Sequence, residues 1–157
     1  MTGYCVEDPP AWVNGYVGIP WRELGRDRDG CDCWGLFRLI MAERFGVALP
    51  AYGGQGYRDR DDAPGVASLI STGLTAWIEV ARRNPVTGMA PLGAERPGDG
   101  VLMRRRGLPI HVGVVVSAGH LLHVQRGADA VCVPYHPPSQ RRSIEGIYRH
   151  PELRHAT

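Results

Sequence analysis

Cys33 stands in the stretch DGCDCWGLFRLI (29–40), directly ahead of an apolar run with helical spacing. A thiol in the first turn of a helix lies near unpaired N–H groups and the positive end of the helix dipole, and both favour the thiolate. The N–H groups of such a turn can also hold an oxyanion, and Gly35 is expected to keep the helix start open to a substrate. A thiol nucleophile needs a base, and the base needs a third group to orient it. His111 is the candidate base: it is a polar residue near the head of the β-branched run IHVGVVV (110–116). His123 lies twelve residues further on, in HLLHV (120–124). If these two runs form a hairpin turning over 117–119, positions 111 and 123 stand within a residue or two of one another across the ladder. The chemistry expected of such a set is nucleophilic attack by the Cys33 thiolate with His111 as its base and His123 orienting His111, and no cofactor is required.

The other cysteines have blander readings. Cys31 and Cys33 with Cys132 and a histidine would make a zinc site, but structural zinc pairs come as C-x2-C or wider and there is no second tight pair. No metal is therefore expected. A Cys31–Cys33 disulfide would be strained. Cys5, Cys31 and Cys132 are read as reduced packing residues, leaving Cys33 as the most reactive thiol. Asp32 is expected to cap the helix, and Asp99, in RPGDG, to be a turn residue. Residues 104–106, three consecutive arginines, are expected to form a solvated turn.

These groups need elements to position them. Leu36, Phe37, Ile40, Met41 and Phe45 fall at helical spacing, which predicts a helix from Cys33 to Phe45 with Gly46 as its C-cap and Pro50 as a stop. A Gly-rich loop follows at 51–65, and Asp62 is expected to cap a second helix over 63–71. AWIEV (76–80) reads as a short strand. Later apolar runs at 101–103, 110–116, 120–124, 130–135 and 143–149 are separated by Gly, Pro or Asp turns, the pattern of an antiparallel meander. Helices first and strands afterwards predict an α+β domain, with N-terminal helices packed on an antiparallel sheet.

The 157 residues suit one domain, 1–157. All 18 basic side chains are arginine, so a lysine base is excluded. A net charge of +2 gives no argument for nucleic acid as a partner. The opening MTGYCVEDPPAWVNGYVG lacks the basic-then-apolar pattern of an export signal, and no apolar run approaches the ~20 residues of a bilayer span, so membrane insertion is not expected.

DCWGLFRLI, RPGDGVLM and HVGVVV, with a second histidine twelve residues later, occur in an order that resembles the NlpC/P60 family of papain-like cysteine peptidases. The resemblance runs from about Trp21 to Tyr148 and implies a papain-like fold with Cys33, His111 and His123 as the catalytic set. Trp21, Asp32 and Trp34 are the implied substrate or oxyanion candidates. Many family members carry a tyrosine twelve residues before the nucleophile, where this chain has Trp21, which lacks the phenol hydroxyl; Tyr16 is the nearest substitute. The implied substrate is a peptide stem of peptidoglycan. DCWGL with FGVALPAY and the C-terminal GIYRH look most like the phage-tail and gene-transfer-agent branch. That likeness implies a tail-tip location, tail-tip or hub proteins as partners, manufacture in the cytoplasm without a signal peptide, and action on the host's periplasmic wall. A tail-assembly subunit that keeps the fold without the activity, and an acyltransferase or amidase on the same fold, are the alternatives.

Overall fold

The computed structural model describes residues 3–49 and 77–155. Among them the chain forms strands β1 (Arg26–Asp27) and β2 (Gly30–Cys31), helix α1 (Cys33–Phe45), and strands β3 (Ile78–Arg82), β4 (Gly100–Arg105), β5 (Leu108–Ser117), β6 (His120–His123) and β7 (Val131–Pro134). A short helix α2 (Pro138–Arg141) and strand β8 (Ile144–Arg149) follow. β1 and β2 pair with each other, and the remaining strands form one antiparallel sheet in the order β3-β8-β4-β5-β6-β7. This is the expected α+β arrangement. The helix expected over 63–71, the loop 51–65 and Pro50 lie outside the described residues.

α1 forms where its pattern predicts, and both ends have visible causes. The Asp32 backbone is extended and its carboxylate accepts from the Gly35 N–H, while Gly46 ends the helix in the left-handed region at φ 67°. Leu36, Phe37, Ile40 and Met41 face one side of β5 and β6, against Val112, Val114, Val116, Leu122 and Val124. The opposite side of the sheet buries Val101, Met103, Val115, Leu121, Tyr135, Ile144 and Ile147. β5 is buried over most of its length because both of its faces are covered.

Two features of the scaffold escape local pattern. The segment before β1 contributes Val13, Tyr16 and Ile19 to the α1-side core, and it is pinned to the chain before β7 by Gly18 N–H to Ala130 O (2.9 Å) and Ala130 N–H to Ile19 O (2.7 Å). Asp99, expected in a turn, is wholly buried and held by Arg149 of β8 through two bonds of 2.8 Å, with the Arg96 N–H on one of the same oxygens. It is an internal ion pair that joins the 96–99 turn to the sheet.

Candidate active site

The head of α1 is held from above by the β1–β2 hairpin. A Cβ built on Gly35 would lie 2.0 Å from the Gly25 carbonyl oxygen, so only glycine lets the hairpin close on the helix. Gly35 is buried under that carbonyl, which replaces the expectation that it keeps the helix start open to a substrate. Arg26 reaches from β1 to donate to the Gly25 carbonyl (2.8 Å) and to Asp32 Oδ1 (2.7 Å), the same oxygen that receives the Gly35 N–H at 2.8 Å. Asp32 is thus the helix cap and the partner of a cation. An ionised carboxylate accepts and does not donate, so Asp32 is not itself an oxyanion donor.

Cys33 is the first residue of α1, and its sulfur receives the backbone N–H groups of Trp34 and of Val112 on β5. The second contact places the thiol against the strand residue that follows His111. Burial, followed by the neighbouring Asp32 carboxylate, pushes the thiol up to about 12; the two N–H groups and Arg26 oppose this without overcoming it. Burial of the sulfur thus outweighs the lowering expected from the helix terminus, though the residue as a whole is only partly buried, and the thiol proton passes to a base as attack begins.

That base has its partner in place. His111 and His123 are both buried, and His111 Nε2 lies 2.7 Å from His123 Nδ1. The paired positions Val114↔Leu122 and Val115↔Leu121, extended by one step, set Gly113 opposite His123. His111 is then two residues away on the same face, as the hairpin arithmetic requires. Burial, and then the charge of Arg105, lower His123 to about 4, so it is a neutral imidazole at neutral pH. A neutral His123 accepting at Nδ1 takes its hydrogen bond from His111 Nε2–H. The lone pair of the His111 ring then belongs to Nδ1, the tautomer a general base needs for the thiol proton.

Trp34 does not line the site with its side chain: the indole is buried and packs on Phe37 with ring centroids 5.5 Å apart. Only its backbone N–H faces the sulfur. Trp21 is half-buried, bridged to Cys31 and packed against the α1-side core. Tyr16 donates to Glu43 Oε1 at 2.7 Å. Glu43 lies ten residues along α1 from Cys33, about 15 Å at helical rise, so Tyr16 cannot stand in for the missing phenol. Cys31 is fully buried with its thiol on the Asp27 carbonyl at 2.9 Å, a packing role as expected. The arginines at 104–106 are only partly a solvated turn: Arg104 pairs with Glu145 (3.1 Å), Arg105 donates to Gln125 (3.0 Å), and Arg106 alone of the three is exposed. Arg105 was not singled out by sequence; the one available signal was its place on the strand paired with that of His111.

A helix that begins on a cysteine, packed on an antiparallel sheet bearing a buried histidine pair, defines the papain-like α+β class. The chain belongs to the NlpC/P60 family, whose family model matches residues 18–145. Among solved structures it is similar to the NlpC/p60 domain of the peptidoglycan hydrolase SagA, at 18% identity and a TM-score of 0.52, over 88% of this chain and 92% of that one. It is also similar to an NlpC/P60 family protein from Bacillus cereus, at 17% identity and a TM-score of 0.55, over 91% of this chain and 41% of that one. A Staphylococcus aureus lipoprotein-like protein of the NLP/P60 family is 16% identical with a TM-score of 0.50, over 86% of this chain and 37% of that one. The chain thus spans about two-fifths of the length of these two larger proteins. No curated protein matches the sequence.

Proposed function

We propose that this chain is a cysteine peptidase that hydrolyses an amide bond in the peptide stems of peptidoglycan. The observation that carries the reading is the buried 2.7 Å contact between His111 Nε2 and His123 Nδ1, next to the strand residue whose N–H meets the Cys33 sulfur. His111 Nδ1 takes the Cys33 proton as the sulfur attacks the carbonyl carbon, and the imidazolium returns it to the leaving amine. Water then adds to the thioester with His111 as base, releasing the carboxylate and the thiol. His123 fixes the His111 tautomer throughout. Family membership and the likeness to a peptidoglycan hydrolase domain support the substrate class. Mass spectrometry of purified peptidoglycan incubated with the protein is the test: new stem-peptide termini are expected with the native chain and none with Cys33→Ser. Intact stems in both would overturn the reading in favour of a fold kept without hydrolysis.

The setting we propose is the tail tip of a phage or gene transfer agent, bound to tail-tip or hub proteins, where the enzyme opens the host wall during DNA delivery. Its support is the likeness of DCWGL, FGVALPAY and GIYRH to that branch of the family. Fractionation of particles from a producing strain tests it. Recovery of the chain with tail proteins is expected, and recovery only as a free species away from particles would sink it.

A further inference from the structure

His123 is buried, and its role requires that it stay neutral and aimed. Around it, β5 supplies His111, already hydrogen-bonded to it, and β7 sets apolar Val131 opposite it. α1, which also packs on β6, contributes no charge to it. Among the described residues the charge acting on His123 is Arg105, from the end of β4. That guanidinium is not loose. Its Nε donates to Gln125 Oε1 at 3.0 Å, two residues beyond His123, and its Nη1 donates to the Arg104 carbonyl at 2.9 Å. Arg105 itself pairs with Leu108 of β5, past a register shift that follows the Met103–His111 pair, and its side chain reaches Gln125 beyond the end of β6.

We infer that Arg105 is a positioning residue of this site: reaching from β4 to Gln125, just past His123, it keeps a fixed positive charge near His123 that opposes its protonation, the step that would take away the Nδ1 acceptor for His111. A protonated His123 would lose its acceptor, release His111 from its tautomer and place a second cation against the imidazolium that forms during attack. Because the charge is permanent, it works across the whole neutral range. The inference rests on the proposed role of His123 in orienting His111.

Side-chain NMR of the histidines, followed as pH is lowered, reads His123 directly and needs no turnover. In Arg105→Gln the His123 midpoint, about 4 in the native chain, is expected to rise by roughly half a pH unit or more. The acid limb of peptidoglycan cleavage is expected to move to higher pH with it. Arg105→Lys, which keeps the charge, should restore most of both. Gln125→Ala unclamps the guanidinium without removing it, and a rise part-way is expected; this variant also serves if Arg105→Gln does not fold. An unchanged His123 midpoint in Arg105→Gln, or an equal rise in Arg105→Lys, overturns the inference. A moved midpoint in a protein that cleaves nothing at any pH refutes the peptidase reading and leaves the Arg105–His123 coupling standing.

Discussion

Two regions of one sheet bury titratable groups and treat them in opposite ways. On the side away from α1, Glu95 accepts from the phenols of Tyr4 and Tyr135 and from the Gly93 N–H (2.6 Å), while Asp99 is forked by Arg149. Burial is the largest influence on Glu95 and pushes it up, yet those hydrogen bonds together leave it below the usual carboxylate range. Both tyrosines are driven upward, first by burial and then by their hydrogen bonds within the same cluster. Every charge there has a fixed partner and every proton is locked. At the head of α1 the Cys33 thiol is pushed up to about 12 and His123 down to about 4, chiefly by burial. Those groups are held neutral. The scaffold gives each carboxylate fixed partners, phenols and an N–H for Glu95 and a guanidinium for Asp99; a site meant to pass a proton keeps the groups uncharged and the proton exchangeable.

Breaking each region separately should give the largest and most opposite effects. Cys33→Ser and His111→Ala are expected to lose peptidoglycan cleavage by about a thousandfold or more, and Cys33→Ser, which leaves the histidine pair untouched, is expected to keep a native melting temperature. Asp99→Ala is expected to do the reverse. It strands the Arg149 guanidinium in a site where Asp99 is fully buried, at a cost of about 3–5 kcal/mol by chemical denaturation. Any Asp99→Ala that remains folded at low temperature should still cleave. An Asp99→Ala protein of native stability would erase the contrast between the two regions.

His123 lies between these extremes, since it is both a buried scaffold group and part of the site. His123→Gln keeps an acceptor for His111 and is expected to retain roughly 1–10% of activity, where His111→Ala retains none that is measurable. It also alters how stability depends on pH. Native His123 resists protonation until about pH 4, whereas the unfolded chain takes up that proton near the ordinary value of 6.5. Between those values the unfolded state binds more protons, so acidification from 6.5 towards 4 drains stability that is fully present above 6.5. Melting curves across that window should fall less steeply for His123→Gln than for the native chain. Parallel slopes would show that His123 already carries its charge when folded.

How much of this was legible in the sequence depends on how far each residue's partner lies along the chain. α1 was readable to both caps because Asp32 and Gly46 act on their own helix. The histidine pair was readable because a hairpin converts sequence distance into register, even though the ladder sets 113 rather than 111 opposite 123. Asp99 looked like a turn residue because Arg149, its partner, is fifty residues away. Gly35 was misread for the same reason: what fills the space of its missing side chain is a carbonyl ten residues earlier, brought back by the β1–β2 hairpin. Trp34 was a substrate or oxyanion candidate through the resemblance, but neighbours on a helix point about 100° apart, and its indole turns into the core. Local rules found elements and caps; side chains whose roles are set by tertiary contact had no local mark to read.

The smallest expected effect is the one that separates charge from structure at the head of α1. Asp32 caps the helix, holds Arg26 and lies close enough to Cys33 to raise its thiol. Asparagine caps a helix about as well as aspartate, so Asp32→Asn keeps the bond from the Gly35 N–H and removes the negative charge alone. Two consequences push the same way. The carboxylate that disfavoured the thiolate is gone, and the Arg26 guanidinium, already opposing that effect, no longer has an anion to neutralise it. The Cys33 thiol should therefore titrate lower than in the native chain. In a Cys5→Ser background, which removes the exposed thiol, alkylation of Cys33 by iodoacetamide at pH 8 is expected to quicken roughly two- to tenfold. Peptide mapping assigns the label, and far-ultraviolet circular dichroism checks that α1 is intact. Slower or unchanged labelling with the helix preserved would mean that Asp32 does not act on the sulfur through its charge.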